Sequence, residues 1–410
     1  MKQSLKPSFR RSLLVLGAAA MASVGTAEPL FTATAPDGLS TDLPKTAETA
    51  TKIWEAPEPK TPPPAPNCDR VRNVIYIIGD GMGFGSIRLA ALRTYGTETS
   101  LFLEKLPHAG VVRTCSANSR VTDSAASGTA LASGHKTNNS HVGVDPKRNP
   151  LKSIATLAKE RNLAVGILTD DYLAGATPAA FYAHQRDRNM GDEILSDLPK
   201  SGFDIFLAND NGSASLYNNR TLNGLNIVKD LQSKGYAFAQ SPEAFVTTAK
   251  TGSKLLCVIP KDDFYKLPPV QYKDLMEATL ANLSQNPNGF FMMFESCFPD
   301  KGGHGSDMHK SVLGTIRTDW LVKAAVDFAS THPGTLVLVT ADHETGGLYP
   351  VRGSDDANPV VYTTTQSHTE APVPIHAYGP GSELFHGCID NTDIPKIIAS
   401  LLFPDTNGQL

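Results

Sequence analysis

Asn73-Val74-Ile75-Tyr76-Ile77-Ile78-Gly79-Asp80-Gly81 is the stretch on which the fold turns. Its apolar run is short, rich in β-branched residues, and broken by glycines that enclose an acid. That predicts a buried strand running into a tight, functional turn. The same grammar recurs twice. Phe290 to Phe294 leads to Glu295, and Thr335 to Thr340 leads to Asp342-His343. Between such runs lie helical spacings. Leu151, Ile154, Ala155 and Ala158 mark one, followed by a strand over Ala164 to Leu168. Leu275, Thr279 and Leu283 mark another, closed by the turn Asn286-Pro287-Asn288-Gly289. Leu321, Ala324, Ala325 and Phe328 mark a third, ended by His332-Pro333-Gly334, and Ile394, Ile397, Ile398 and Leu401 mark a last one. Strands alternating with helices predict an α/β fold with a central, mostly parallel sheet flanked by helices on both faces. Residues 210–270 are the least regular and are read as peripheral. No internal repeat is present.

The chain has 410 residues, 40% of them hydrophobic. That is enough for one large domain or two modest ones with a sizeable core. Lys2, Lys6, Arg10 and Arg11 precede the apolar, alanine-rich run Leu13 to Val24, and Gly25-Thr26-Ala27 offers small residues for cleavage. Residues 1–27 are therefore expected to be a secretory signal, with export to the periplasm or the extracellular space. The Arg10-Arg11 pair fits twin-arginine as well as general export. Residues 28–70 are polar and proline-rich, as in Pro62-Pro63-Pro64-Ala65-Pro66, and read as an extended linker or arm. No later stretch is long and apolar enough to span a bilayer. The leader holds four basic residues and no acid, so its removal takes the formal charge from −4 to −8. A nucleic-acid partner is thereby disfavoured. Five cysteines, Cys68, Cys115, Cys257, Cys297 and Cys388, form no C-x-x-C, and their odd number leaves at least one unpaired within the chain.

In open α/β sheets ligands bind beyond the carboxyl ends of the strands. Acids that converge there repel one another unless cations compensate them. Mixed carboxylate and imidazole ligands suit zinc, and all-oxygen sets suit magnesium. The loop Glu295-Ser-Cys-Phe-Pro-Asp300-Lys301-Gly-Gly-His304 carries two acids and a histidine. Asp342-His343-Glu344-Thr345-Gly346-Gly347 places two ligands side by side, and Ser367-His368-Thr369 adds an imidazole. Val121-Thr122-Asp123-Ser124-Ala125-Ala126-Ser127-Gly128-Thr129 puts Ser124 at the start of a helix expected over Ser124 to Ala132. Free N–H groups and the helix dipole favour an anion there. By itself such a serine is more often an N-cap than a nucleophile.

Taken together, the Asp-Ser-Ala-Ala-Ser run, the Glu-x4-Asp-x3-His spacing, Thr-Ala-Asp-His-Glu-Thr-Gly-Gly and the later His-Thr resemble the alkaline phosphatase family. The resemblance runs from about Asn73 to Phe403, is weakest over about 205–270, and falls within a catalytic domain placed at 71–405. It implies an alkaline phosphatase-like fold and hydrolysis of phosphate monoesters with two Zn2+ and one Mg2+. Asp300, His304 and His368 would hold one zinc. Asp80, Asp342 and His343 would hold the other, with Ser124 as its exchangeable ligand. Asp80, Thr177 and Glu295 would hold magnesium. Arg188 would bind phosphate, preferred to Arg186 for its spacing from Thr177, with Asp123 orienting it. A phosphoserine would form on Ser124 and then be hydrolysed. Frequent dimerisation in the family implies a homodimer by analogy.

The chain departs from the family pattern at Gly175, where many members carry an acid or a histidine that supports the magnesium site. Asp204 to Asn211 lacks the glycine-rich run often found there. Lys301 reads equally as a water-mediated phosphate contact or as a solvated lysine. His135, His141, His184, His309 and Asp307 sit near the motifs without matching ligand positions. Two other functions fit less well: a phosphodiesterase of the same superfamily, disfavoured by Arg188, and a non-catalytic metal- or phosphate-binding protein. A sulfatase lacks its Cys-x-Pro-x-Arg, the nearest match being Cys297-Phe298-Pro299-Asp300-Lys301.

Overall fold

A computed structural model describes residues 54–96, 100–210, 216, 221–222, 224–351 and 360–410. The leader and the first part of the arm, residues 28–53, lie outside the described residues. Ten strands form the central sheet. Across it they run Gly387–Asp390, His108–Arg113, Val373–Tyr378, Thr335–Thr340, Asn73–Gly79, Phe290–Ser296, Ala164–Thr169, Ile205–Asp210, Leu255–Pro260 and Ala237–Ala239. Only Val373–Tyr378 runs against its neighbours, so the sheet is mostly parallel.

All residues of Phe290–Ser296, Thr335–Thr340 and Ala164–Thr169 are buried. Because side chains alternate between the two faces of a strand, continuous burial means that both faces are covered. Each large apolar side chain buried in this way contributes about 1.5–3 kcal/mol. The four strands picked out from sequence are central neighbours. Ile78 lies level with Thr340 on one side and Glu295 on the other, and Glu295 lies level with Thr169. This register places Asp80, Asp170, Glu295 and Asp342 at one edge of the sheet.

The expectation for 210–270 needs correction. Leu255–Pro260 is a buried strand of the main sheet, paired with Ile205–Asp210 and Ala237–Ala239. Its region lacked a clear period because strands buried on both faces do not alternate. The helix expected around Leu151 starts at Ile154, capped by Ser153. Residues 54–70 form no helix or strand and lie along the domain. Trp320 Nε1 donates to the Glu55 carbonyl at 2.8 Å, Tyr378 Oη to that of Pro63 at 3.0 Å, and Trp54 packs 4.2 Å from the His309 ring. All five cysteines are free, with Cys257 and Cys297 buried. Among the described residues no helix is long and apolar enough to cross a membrane.

Candidate active site

The Ser124–Ser133 helix begins where the sequence places it, with Asp123 as N-cap. Asp123 Oδ1 accepts from Ala126 N at 2.9 Å, while Oδ2 takes Ser140 N at 2.9 Å and Arg188 Nη1 at 3.2 Å. Asp123 thus caps the helix and aims the guanidinium beside Ser124. Burial alone would favour loss of the Arg188 proton, but the charge and hydrogen bond of Asp123, together with the charge of Asp80, outweigh it and raise the pKa.

Ser124 Oγ lies 3.0 Å from His343 Nε2. The same nitrogen is 3.4 Å from Asp80 Oδ1 and 3.1 Å from Asp342 Oδ2. All four residues are buried. The second expected trio also converges. Asp300 Oδ1 is 3.3 Å from His304 Nε2 and 3.4 Å from His368 Nε2, and those two nitrogens are 3.1 Å apart. The stacked rings of His343 and His368, 3.5 Å between centroids, join the two clusters. Gly81 permits this closeness. Its φ is +69°, and a Cβ there would come within 2.6 Å of the Asp300 backbone.

Burial, and then the charges of Asp342, Asp300 and Glu295, push the Asp80 carboxyl well above its usual range. Burial, followed by the charge of Asp171, pushes Glu295 up to about 8. Burial would raise Asp300 too, but His368, His343 and His304 outweigh it and hold it low. Asp80 Oδ1, Asp342 Oδ2 and Thr177 Oγ1 are buried with no hydrogen-bond partner. Buried orphans of this kind are expensive unless something else satisfies them. Carboxylate and imidazole donors facing inward, with unsatisfied oxygens between them, fit divalent cations. Glu295 lies at the end of one strand and Asp80 follows its neighbour, and Glu295 Oε2 accepts the Thr169 hydroxyl.

A cleft of about 390 Å3 opens over Asp123, Ser124, Arg188, Asp300, His304 and His368. Lys301 does not line it. Its Nζ is 2.8 Å from Asp171 Oδ1 and donates to Tyr265 Oη at 2.8 Å. A larger groove, about 530 Å3, lies between the Pro242–Ala249 and Gln271–Leu283 helices and is lined by no histidine or arginine. Among the histidines set aside, His309 stacks on Trp54 and His184 contacts the Leu151 carbonyl. Asp307 caps the Met308–Ala329 helix through Lys310 N.

These side chains gather a serine hydroxyl, a guanidinium and two carboxylate–imidazole clusters around one cleft. The alkaline phosphatase family model matches residues 71–220 and 205–363. The chain belongs to the alkaline phosphatase family. It is 27% identical to alkaline phosphatase 4 of Bacillus subtilis, an alignment covering 81% of this chain and 89% of that one. With the streptomycin-6-phosphate phosphatase of Streptomyces griseus it shares 28% identity, over 86% and 94% of the two chains. The alkaline phosphatase of the Antarctic bacterium TAB5 superposes with a TM-score of 0.74 at 27% identity, over 82% of this chain and 99% of that one. A variant of that TAB5 enzyme has been solved with Mg bound in its M3 site. Alkaline phosphatases are metal-dependent phosphomonoesterases, and this chain is a phosphomonoesterase of that family.

Sequence reasoning missed three supports. Thr345 Oγ1 lies 2.6 Å from Asp300 Oδ1 and 3.1 Å from His343 Nδ1, bridging both trios. Backbone carbonyls of Gln366 and Thr122 hold the Nδ1 atoms of His304 and His368 at 2.7 and 2.9 Å. No sequence signal marks such contacts. Asp170-Asp171 is different. The pair follows the Ala164–Thr169 strand, and the rule that found Asp80 and Glu295 would have found it.

Proposed function

We propose that the chain is an exported alkaline phosphatase that cleaves phosphate monoesters through a phosphoserine on Ser124. One zinc would be held by Asp300, His304 and His368. A second would be held by Asp80, Asp342, His343 and Ser124. Magnesium would be held by Asp80, Thr177 and Glu295. The convergence of Ser124, Asp80 and Asp342 on His343 Nε2, beside the Asp123–Arg188 pair, is the observation that carries this reading.

Arg188 grips two oxygens of a terminal phosphate through its planar fork. Ser124 Oγ then gives up its proton and forms a bond to phosphorus as the opposite P–O bond breaks, and the departing alkoxide takes up a proton to leave as the alcohol. Water attacks the phosphoserine from the vacated side, releasing phosphate and restoring Ser124. Bound cations would supply charge neutralisation for the gathered carboxylates, a lowered serine pKa and stabilisation of the attacking and leaving oxygens. The protein contributes placement: a capped helix, strand ends in register, and a buried floor.

The leader over residues 1–27 is proposed to direct export to the periplasm or the extracellular space, the arm over 28–70 to precede a catalytic domain at 71–405, and the chain to pair as a homodimer. The decisive experiment is metal analysis of the purified protein, with monoester and diester hydrolysis assayed before and after chelation. Two zinc and one magnesium per chain, with monoesterase activity lost on chelation, is the expected result. Faster cleavage of a bis-aryl phosphate than of the monoester would overturn it.

A further inference from the structure

We propose that Asp170, backed by Arg317, is a positioning residue that sets the segment between Glu295 and Asp300. The proposal rests on the ligand reading above. Asp170 is fully buried and directly follows the Ala164–Thr169 strand, which lies beside Phe290–Ser296. Its carboxylate collects three donors: Cys297 N at 2.7 Å, Ser296 Oγ at 2.9 Å and Tyr272 Oη at 3.0 Å. Its own N–H donates to the Glu295 carbonyl at 3.2 Å. Cys297 is the N-cap of the Phe298–Gly305 helix, which carries Asp300 and His304, and its own side chain makes no capping bond. Asp170 thus receives the N–H at the hinge between one ligand on a strand and two on a helix, where an anion is favoured.

Arg317 explains why this carboxylate tolerates burial. It too is fully buried, and its Nη1 is 4.0 Å from Asp170 Oδ2. Nη2 donates to the carbonyls of Tyr265 and Leu267 at 2.7 and 3.0 Å, while the guanidinium lies 4.3 Å from the Phe298 ring and 4.8 Å from that of Tyr272. Nε and Nη1 have no hydrogen-bond partner. A pair so incompletely satisfied is a poor stabilising device, since apolar residues of similar volume often serve as well. What it does supply is a fixed negative charge where Ser296 and Cys297 must turn, and Phe298 is clamped against the same guanidinium.

Outer partners of metal ligands, once removed, lower metal affinity by about 10–100-fold. Two variants test the role: Asp170→Leu/Arg317→Met, which removes both charges together, and Asp170→Asn, which leaves one acceptor oxygen for three donors. Zinc and magnesium binding to the refolded, metal-free proteins is measured by calorimetry, with circular dichroism confirming the fold. The expected result is weakening of about 10–100-fold in the double variant, and about tenfold in Asp170→Asn, at the positions of Glu295 and Asp300. The position of Asp80, Asp342 and His343 keeps its zinc affinity. A merely structural role would shift thermal stability and leave the affinities alone, or lower all three together, and either result overturns the proposal. If the double variant fails to fold, unchanged affinities in folded Asp170→Asn overturn it equally. If wild-type protein binds no metal, the ligand reading falls first, which separates the two failures.

Discussion

The two imidazole–carboxylate clusters differ in how they are built. Around His343 the side chains of Ser124, Asp80, Asp342 and Thr345 are all buried, and Asp80 and Asp342 leave adjacent parallel strands in which Ile78 is level with Thr340. Around His304 the side chain is 43% exposed; Asp300 and His304 come from one helix and His368 from a two-residue strand, with the carbonyls of Gln366 and Thr122 aligning the two imidazoles. Sheet hydrogen bonding fixes the first cluster. A short helix and the two-residue pairing of Glu344–Thr345 with His368–Thr369 fix the second. The first cluster is therefore set by the core, and the second lies where the cleft opens to solvent.

The largest effect expected is on Ser124, which belongs to the buried cluster. Ser124→Ala should lower monoester turnover by roughly 10^3-fold or more while metal content stays normal, because nucleophiles act as part of a unit with their surroundings. Unchanged turnover would remove Ser124 as the acceptor and leave the buried cluster without a catalytic purpose.

The contrast between clusters is tested next by His304→Ala against His343→Ala. Loss of a ligand should weaken an ion at least as much as loss of an outer partner, about tenfold or more. His304→Ala is expected to weaken one zinc, recoverable with excess zinc, and His343→Ala to weaken both because its ring stacks on His368. Equal losses in both variants, read by metal analysis after dialysis, would erase the distinction.

Arg188→Lys replaces a fork with a point charge at the cleft that both clusters share. Hydrogen bonds to charged groups contribute about 1.5–3 kcal/mol, so kcat/KM for a monoester should fall roughly 10- to 100-fold. A diester, which has fewer charged oxygens, should lose less. Equal losses would mean that the arginine does not read the terminal phosphate.

The smallest effect concerns a buried acid with no imidazole beside it. Asp319 accepts from Leu103 N at 2.7 Å and Phe102 N at 3.1 Å, and burial pushes its carboxyl up to about 7. Between the unfolded value near 4 and that value, the folded state holds the extra proton, so stability falls as pH rises through the window. Asp319→Asn, which mimics the neutral acid, should lack this decline. Melting curves at pH 5 and pH 8 should show a smaller loss for the variant than for wild type, and parallel losses would show that Asp319 does not titrate there.

Local pattern carried much of this molecule. The runs at Asn73, Phe290, Thr335 and Ala164 are strands because β-branched and aromatic residues in short blocks cannot do better as helices, and their terminal acids are visible by eye. The strand at His108, next to the sheet edge, and the buried one at Leu255 stayed hidden, since a short or doubly covered strand shows no alternation. The ligand residues could be named one by one in the sequence, but not Thr345 as the hydroxyl between two of them, nor Lys301 as the partner of Asp171.

Sequence alone determined which side chains can bind cations and phosphate, because that depends on the chemistry of Asp, Glu, His, Arg and Ser and on their place after apolar runs. Tertiary structure alone decided that Asp80 and Asp342 share one imidazole, that His304 faces solvent, and that Asp170 and Arg317 are sealed behind the turn at Ser296 to Phe298. Those outcomes depend on strand order and register, which join residues far apart in the chain, Asp80 and Asp342 by more than two hundred positions, and which no local pattern encodes.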